Sequence, residues 1–287
     1  MLDLIIRTLL LVSLTALAGA FAFNTLVLRA ASLQPLREAT MIRRRTWLLL
    51  CLTITIVALT LDGFLHFGNE DVPLNTGVLL FTRVGLFTIL ALNLRGEWQD
   101  SKFALFLCAL LLLSQSLLGH PMRKSAWLLP VITDWLHLVF VSVWLGGVAY
   151  YAGVVVPPVL AQRALVPALG ASIAKFSPLA VMSVLVIALT GIIQGAGFVG
   201  SFDALFNTDY GRALLLKLSA FVVLIGFGAL HQYVIAPQIN AWRAQAGTQE
   251  DAARRFRVTI AVEALFGIFA LAAAAAMTLL PLASTAS

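Results

Sequence analysis

Asp134 and His137 stand three residues apart at the head of the apolar stretch DWLHLVFVSVWLGGVAYYAG, which continues through Trp144, Gly146 and Gly147 to Gly153. Upstream, Met122 follows His120 by two positions, and Asp62 precedes His66 by four. Spacings of three and four place both members of a pair on one face of a helix. Imidazole, thioether and carboxylate groups drawn together make a donor set for copper: imidazole accepts either oxidation state, and thioether selects Cu(I). The carboxylates can ligate directly or can stand behind the imidazoles and orient them. The candidate metal-binding residues are therefore His120, His137, Met122, His66 and Asp134. Plainer roles compete with this one. A histidine at a membrane interface often serves only as an amphipathic rim residue, and Asp134 could cap the fifth helix, whose N-terminus favours an acid.

Cys51, Cys108, His231 and Glu263 form a second group. Thiolates with an imidazole would also receive a soft metal ion, whereas a buried cysteine more commonly acts as an inert small hydrophobe. The two cysteines lie inside apolar runs without a CxxC partner, so no disulfide framework is expected. Trp144 falls two turns after His137 and is expected to line or close the inner wall of the site. Gly146 and Gly147 are expected to let a neighbouring helix approach closely.

The elements that must position these groups follow from composition. The chain has 287 residues, 61% of them hydrophobic and 11% charged, with a mean hydropathy of +0.97. A soluble domain of this size cannot bury so much apolar surface. Apolar runs near Leu4–Leu28, Trp47–Phe67, Thr76–Leu94, Phe103–Gly119, Trp127–Val154, Ser172–Val199, Arg212–Ile235 and Val258–Leu280 are each long enough to cross a hydrocarbon core of about 30 Å. The ten-residue alternation of a membrane barrel does not occur, so the expected fold is an all-α membrane protein, a bundle of about eight transmembrane helices. The first run extends past the small-residue stretch ALAGA to Leu28, which is too long for a signal-peptide core, and reads as a retained helix.

The net charge of +6 does not point to nucleic acid, because the basic residues cluster in short gaps between apolar runs. Arg29, Arg37, Arg43, Arg44, Arg45, Arg95, Lys102, Arg163, Lys175, Arg243, Arg254, Arg255 and Arg257 all fall in or beside the odd-numbered gaps, 13 of the 19 Lys and Arg residues. The positive-inside rule then places those gaps in the cytoplasm and both termini outside; Arg123 and Lys124 are the discordant pair. On this topology three of the four histidines, His66, His120 and His137, gather at the outer end. Ionisable groups inside a span are expensive and are functional candidates by default. No nucleotide-binding GxxxxGK[ST] loop occurs, and no separate soluble domain exists to carry an enzyme's site.

DWLHLVFVSVWLGGV resembles the D-x-x-H-x(6)-W-x-G-G signature of the CopD family of bacterial copper-resistance membrane proteins. LLGHP, KFSPLAV, LTGIIQ and NTDYGRALLLKL (with Thr208, Tyr210, Gly211, Arg212 and Lys217) resemble further elements of that family, as does the closing helix RRFRVTIAVEALFGIFAL with Glu263. The resemblance covers about the last 170 residues in order. It divides the chain into an N-terminal four-helix membrane region, 1–119, and a CopD-like four-helix domain, 120–287. It implies an inner-membrane, non-enzymatic protein that handles copper ion together with membrane lipid and a periplasmic copper-binding partner, and it carries the family's candidate metal residues onto His120 and His137. The first helix departs from the pattern: RTLLLVS stands where many relatives have a histidine, and His231-Gln232 stands where they have Asn-Arg. Copper transport inward from the periplasm is the leading expectation. A haem-binding electron-transfer protein, with histidines on facing helices as axial ligands, and a copper-presenting assembly factor for a membrane oxidase are the alternatives.

Overall fold

The computed structural model describes residues 1–67, 74–93, 102–118, 128–199, 202–240 and 246–280. Among these residues there is no strand. The principal helices are α1 (Leu2–Leu26), α2 (Met41–Phe67), α3 (Leu74–Asn93), α4 (Lys102–Leu118), α5 (Leu128–Ala161), α6 (Val166–Val199), α7 (Asp209–Ile239) and α8 (Ala246–Met277). Six of them are long and apolar enough to cross a membrane; α3 and α4 carry shorter apolar stretches, Gly77–Leu92 and Lys102–Leu118. The chain is an all-α, multi-pass membrane protein, as its apolar runs predict.

Several helices outrun those runs. Arg43, Arg44 and Arg45 lie within α2, and Arg254, Arg255 and Arg257 lie within α8. Hydropathy marks where a helix enters lipid, but the backbone ladder continues into the charged flank because each further turn still satisfies its own amides.

Helices α1 and α5 form the centre: 67% of the most apolar window of each is buried, against 11% for α7. Small residues explain the close approach of α1 to α5. A Cβ added at Gly19 would fall 2.4 Å from the Gly146 Cα, so the two backbones touch. In lipid, where no water drives apolar surfaces together, contact of this kind supplies much of the packing energy. Gly147 instead gives way to the Phe176 ring. The packing role expected for both glycines is the one observed.

Below this contact Tyr150 and Tyr151, 0% and 1% exposed, pack around Phe23. The Tyr150 hydroxyl donates to Asn24 Oδ1 at 2.9 Å, and the Tyr151 hydroxyl to Ser172 Oγ at 3.1 Å. Buried phenols are tolerated because each has a partner. The Thr55 hydroxyl likewise reaches Ser13 Oγ at 2.9 Å and ties α2 to α1.

Candidate functional site

His137 lies in the third turn of α5 and is 7% exposed. Its Nδ1 is 2.9 Å from Thr190 Oγ1 on α6. The single hydroxyl proton of Thr190 is drawn to the Val186 carbonyl, 2.7 Å away on its own helix. Thr190 therefore accepts from His137 Nδ1–H, and in the neutral ring Nε2 keeps its lone pair. No described side chain meets Nε2. Gly191 gives the ring room, for a Cβ there would stand 3.7 Å from His137 Cε1. An imidazole fixed through one nitrogen with the other left as a donor is the arrangement found in metal-ligating histidines.

Asp134 is half-buried in the second turn of α5. The helix already begins at Leu128, so Asp134 does not cap it; the capping role fails because the helix extends further than its apolar core. Lys217 on α7 is in electrostatic contact with both Asp134 and His137, and Tyr210 with Asp134. A carboxylate and an ammonium thus accompany the imidazole at the end of the bundle where α5 and α7 start and α6 finishes.

Part of the NTDYGR motif is a helix start. Thr208 caps α7 by accepting from the Gly211 amide at 3.0 Å. A Cβ at Gly211 would lie 2.2 Å from the Ala204 carbonyl oxygen, so the preceding short helix, Ala204–Asn207, closes directly over it.

The seven-residue spacing from His137 to Trp144 does not follow an ideal helix. Ser142–Gly146 forms a π-helical turn, and its extra residue rotates the remainder of α5 relative to His137. Further π-turns occupy Tyr151–Val155 and His231–Ile235. All three contribute to one cavity of ≈ 230 Å³ between α5, α6, α7 and α8, which Trp144, Tyr151, Phe176, His231, Phe256 and Glu263 help to line. Such turns occur often at functional sites. His231, also 7% exposed, has Nε2 at 2.8 Å from Thr259 Oγ1 and Nδ1 at 3.0 Å from Glu263 Oε2. Glu263 is 1% exposed. The Trp144 indole stands beside the same carboxyl, yet neither carboxylate oxygen receives a well-aligned donor.

The sequence-derived ligands are placed unevenly. His120 and Met122 lie outside the described residues, and His66 lies in the last turn of α2, whose side chains there are also outside them. Its expected companion Asp62 is engaged elsewhere, with a carboxylate oxygen 3.9 Å from Arg7 Nε on α1. Among the described residues no three His, Cys, Asp or Glu side chains converge on a point that could hold a metal. Cys51 and Cys108 are buried in the apolar core and do not join His231 in a ligand set.

Sequence reasoning missed Thr190 and Thr259 as partners of the two histidines, and Lys217 as a neighbour of Asp134. Lys217 carried the clearest signal, a lysine eight residues into an apolar helix. The threonines gave none, since each also bonds a carbonyl on its own helix, as threonines in spans commonly do.

Residues 170–277 match the model of a protein family described as "Copper resistance protein D". A relative described as "Copper transport protein CutJ", from Bacillus subtilis (strain 168), is 30% identical over 163 residues, which make up 54% of this chain and 30% of the relative. The match thus takes in less than a third of that relative's length. No solved structure matches.

Proposed function

We propose, from the match of residues 170–277 to the copper resistance protein D family model and the likeness to a copper transport protein, that the chain carries copper across the bacterial inner membrane from the periplasmic side. That match is the observation on which this reading rests, and the geometry of His137 supplies its chemistry. With Nδ1 held by Thr190, Nε2 is the nitrogen left to serve as a soft-metal donor. His120 and Met122 on the preceding segment, with His66, would complete the donor set, and thioether would favour Cu(I). Asp134, beside Lys217, adjusts the local field and orients ligands rather than supplying a preferred donor. A periplasmic copper-binding protein would hand over the ion. The chain acts as a carrier, not an enzyme.

Both termini face the periplasm in this reading, because 13 of the 19 Lys and Arg residues fall in or beside the opposite gaps. A reporter fused to the C terminus should be active only if it folds outside; cytoplasmic activity reverses the orientation. The test of function is copper uptake into proteoliposomes holding the purified protein, with Cu(I) and Cu(II) compared. Uptake of Cu(I) above that of empty vesicles supports carriage. Binding without uptake, and no rise in cellular copper on expression, leaves presentation to another protein as the function.

A further inference from the structure

Glu263 is a carboxyl group 1% exposed in the interior of a membrane-spanning helix, and copper ligation at the other end of the bundle gives it no role. Its surroundings define one. Beside it are His231 from α7 and Trp144 from α5, with Tyr151 the remaining titratable group on that side of the cavity; no lysine or arginine is among the lining residues. An anionic carboxylate without aligned donors is strongly disfavoured in so apolar a place. The charge is removed when the His231–Glu263 pair holds one proton.

The hydrogen bonds are consistent with that count. Thr259 has one hydroxyl proton and three calls on it: the Arg255 carbonyl at 3.0 Å, the Phe256 carbonyl at 3.2 Å and His231 Nε2 at 2.8 Å. When the proton goes to Arg255, Thr259 accepts from Nε2–H. The pair can then be neutral imidazole with carboxylic acid or imidazolium with carboxylate, the two forms of zero net charge. When the proton turns to Nε2, the ring can be neutral with its own proton on Nδ1, and the pair is left with an uncompensated negative charge. Rotation of one hydroxyl therefore accompanies the gain or loss of a proton.

The same atoms make a path. Arg255 is exposed on the basic flank of α8, Thr259 is partly buried one turn further along, and His231 and Glu263 are buried beyond it. From Thr259 Oγ1 to His231 Nε2 the step is 2.8 Å, and from His231 Nδ1 to the carboxyl it is 3.0 Å. Past Glu263 the path stops at a cavity whose mouth is formed by the exposed, apolar Val181 and Leu185 on α6 and by Tyr233 on α7.

We infer that His231 and Glu263 form an intramembrane proton site, loaded from the Arg255 rim through Thr259, whose occupancy is coupled to the transport of copper. The inference rests on the transport reading above. No bond other than O–H and N–H forms or breaks: one proton enters from water at the rim, passes through Thr259 to His231, and is shared between His231 and Glu263.

The test has two arms on the full-length protein. In proteoliposomes with an internal pH-sensitive dye, Cu(I) movement should be accompanied by proton movement and should change rate when a pH gradient is imposed. Glu263→Gln should bind copper with unchanged stoichiometry but lose both responses, falling to the level of empty vesicles; Thr259→Val should slow them. Equal proton movement per copper in the parent and in Glu263→Gln overturns the inference, while a parent that moves no copper overturns the transport reading instead. The second arm needs no copper. The infrared C=O stretch of a protonated carboxyl should titrate with pH in the parent, persist in Glu263→Asp and vanish in Glu263→Gln. A parent without that band, or a folded, monodisperse Glu263→Gln that retains it, sinks the proton site whether or not copper moves.

Discussion

His137 and His231 are buried to the same degree, 7% exposed each, and each contacts a threonine on an adjacent helix. They nevertheless present opposite chemistry. His137 meets the Thr190 hydroxyl through Nδ1 and the Ile187 backbone lies within its reach, with no carboxylate paired to the ring; His231 has a hydroxyl on one nitrogen and a carboxyl on the other. Burial and residue type alone do not distinguish the proposed ligand, His137, from the proposed proton site, His231. The proposals differ on whether the second nitrogen already meets a side chain. The first four helices show a third outcome. Arg83 on α3 is 2% exposed, yet it donates through Nε to Ser114 Oγ at 2.8 Å and also to Gln115. With two of its N–H groups donating to α4, it reads as scaffold.

The largest expected effect tests the two histidines against each other. His137→Ala deletes the imidazole that offers a lone pair, and no described side chain is placed to replace it. Copper binding by the purified protein should be abolished or nearly so, whereas His231→Ala should leave copper stoichiometry at the parent value. Equal loss in both variants would erase the distinction. His120→Ala should behave like His137→Ala, with Asp134→Asn intermediate and His66→Ala milder, because Asp134 lies beside a cation and His66 stands on a different helix.

Thr190→Val tests how the distinction is made. Valine keeps the shape but removes the acceptor that fixes Nδ1–H, so the ring can turn or exchange tautomers. Loss of such an outer partner typically costs about 10–100-fold in metal affinity. Isothermal titration with Cu(I) should show that drop without a change in stoichiometry. An unchanged affinity would mean that the ring is fixed by packing and not by Thr190.

Much of this was legible in the sequence, and for identifiable reasons. Apolar runs of transmembrane length announce helices because lipid leaves the backbone no other option. An acid or imidazole inside a span stands out because its cost is so large, which is why His137 and Glu263 could be singled out. The face on which Trp144 lies could not be read. A π-turn inserts one residue with no marker in composition, and the seven-residue spacing from His137 then loses its meaning. The pairing of His231 with Glu263 rather than with the cysteines was equally hidden, since it depends on which faces of α7 and α8 meet.

Gly19→Ala addresses the frame that holds the two sites apart. The new methyl carbon would enter the space of the Gly146 backbone, 2.4 Å from its Cα, so α1 and α5 must separate. Overpacking of this type costs about 1–3 kcal/mol. A lower apparent melting temperature in detergent, with copper stoichiometry retained, is the expected result. Selective loss of copper binding without loss of stability would tie α1 to the site itself.

The smallest effect should come from the cysteines. Cys51 and Cys108 are 6% and 2% exposed within the apolar core, and neither joins a cluster of metal-binding groups among the described residues. A thiol deep in an apolar environment resists becoming the thiolate that a metal requires. As packing groups each is worth one sulfur atom, and replacing both by alanine should cost about 1 kcal/mol apiece at most. The Cys51→Ala, Cys108→Ala double variant should therefore bind, take up and release copper at the parent's rates in proteoliposomes, with only a modest loss of thermal stability. Copper that enters normally but is released more slowly from the double variant would place the thiols on the exit path. His231 would then no longer be a relay alone, and the contrast between the two histidines would have to be redrawn with metal on both sides.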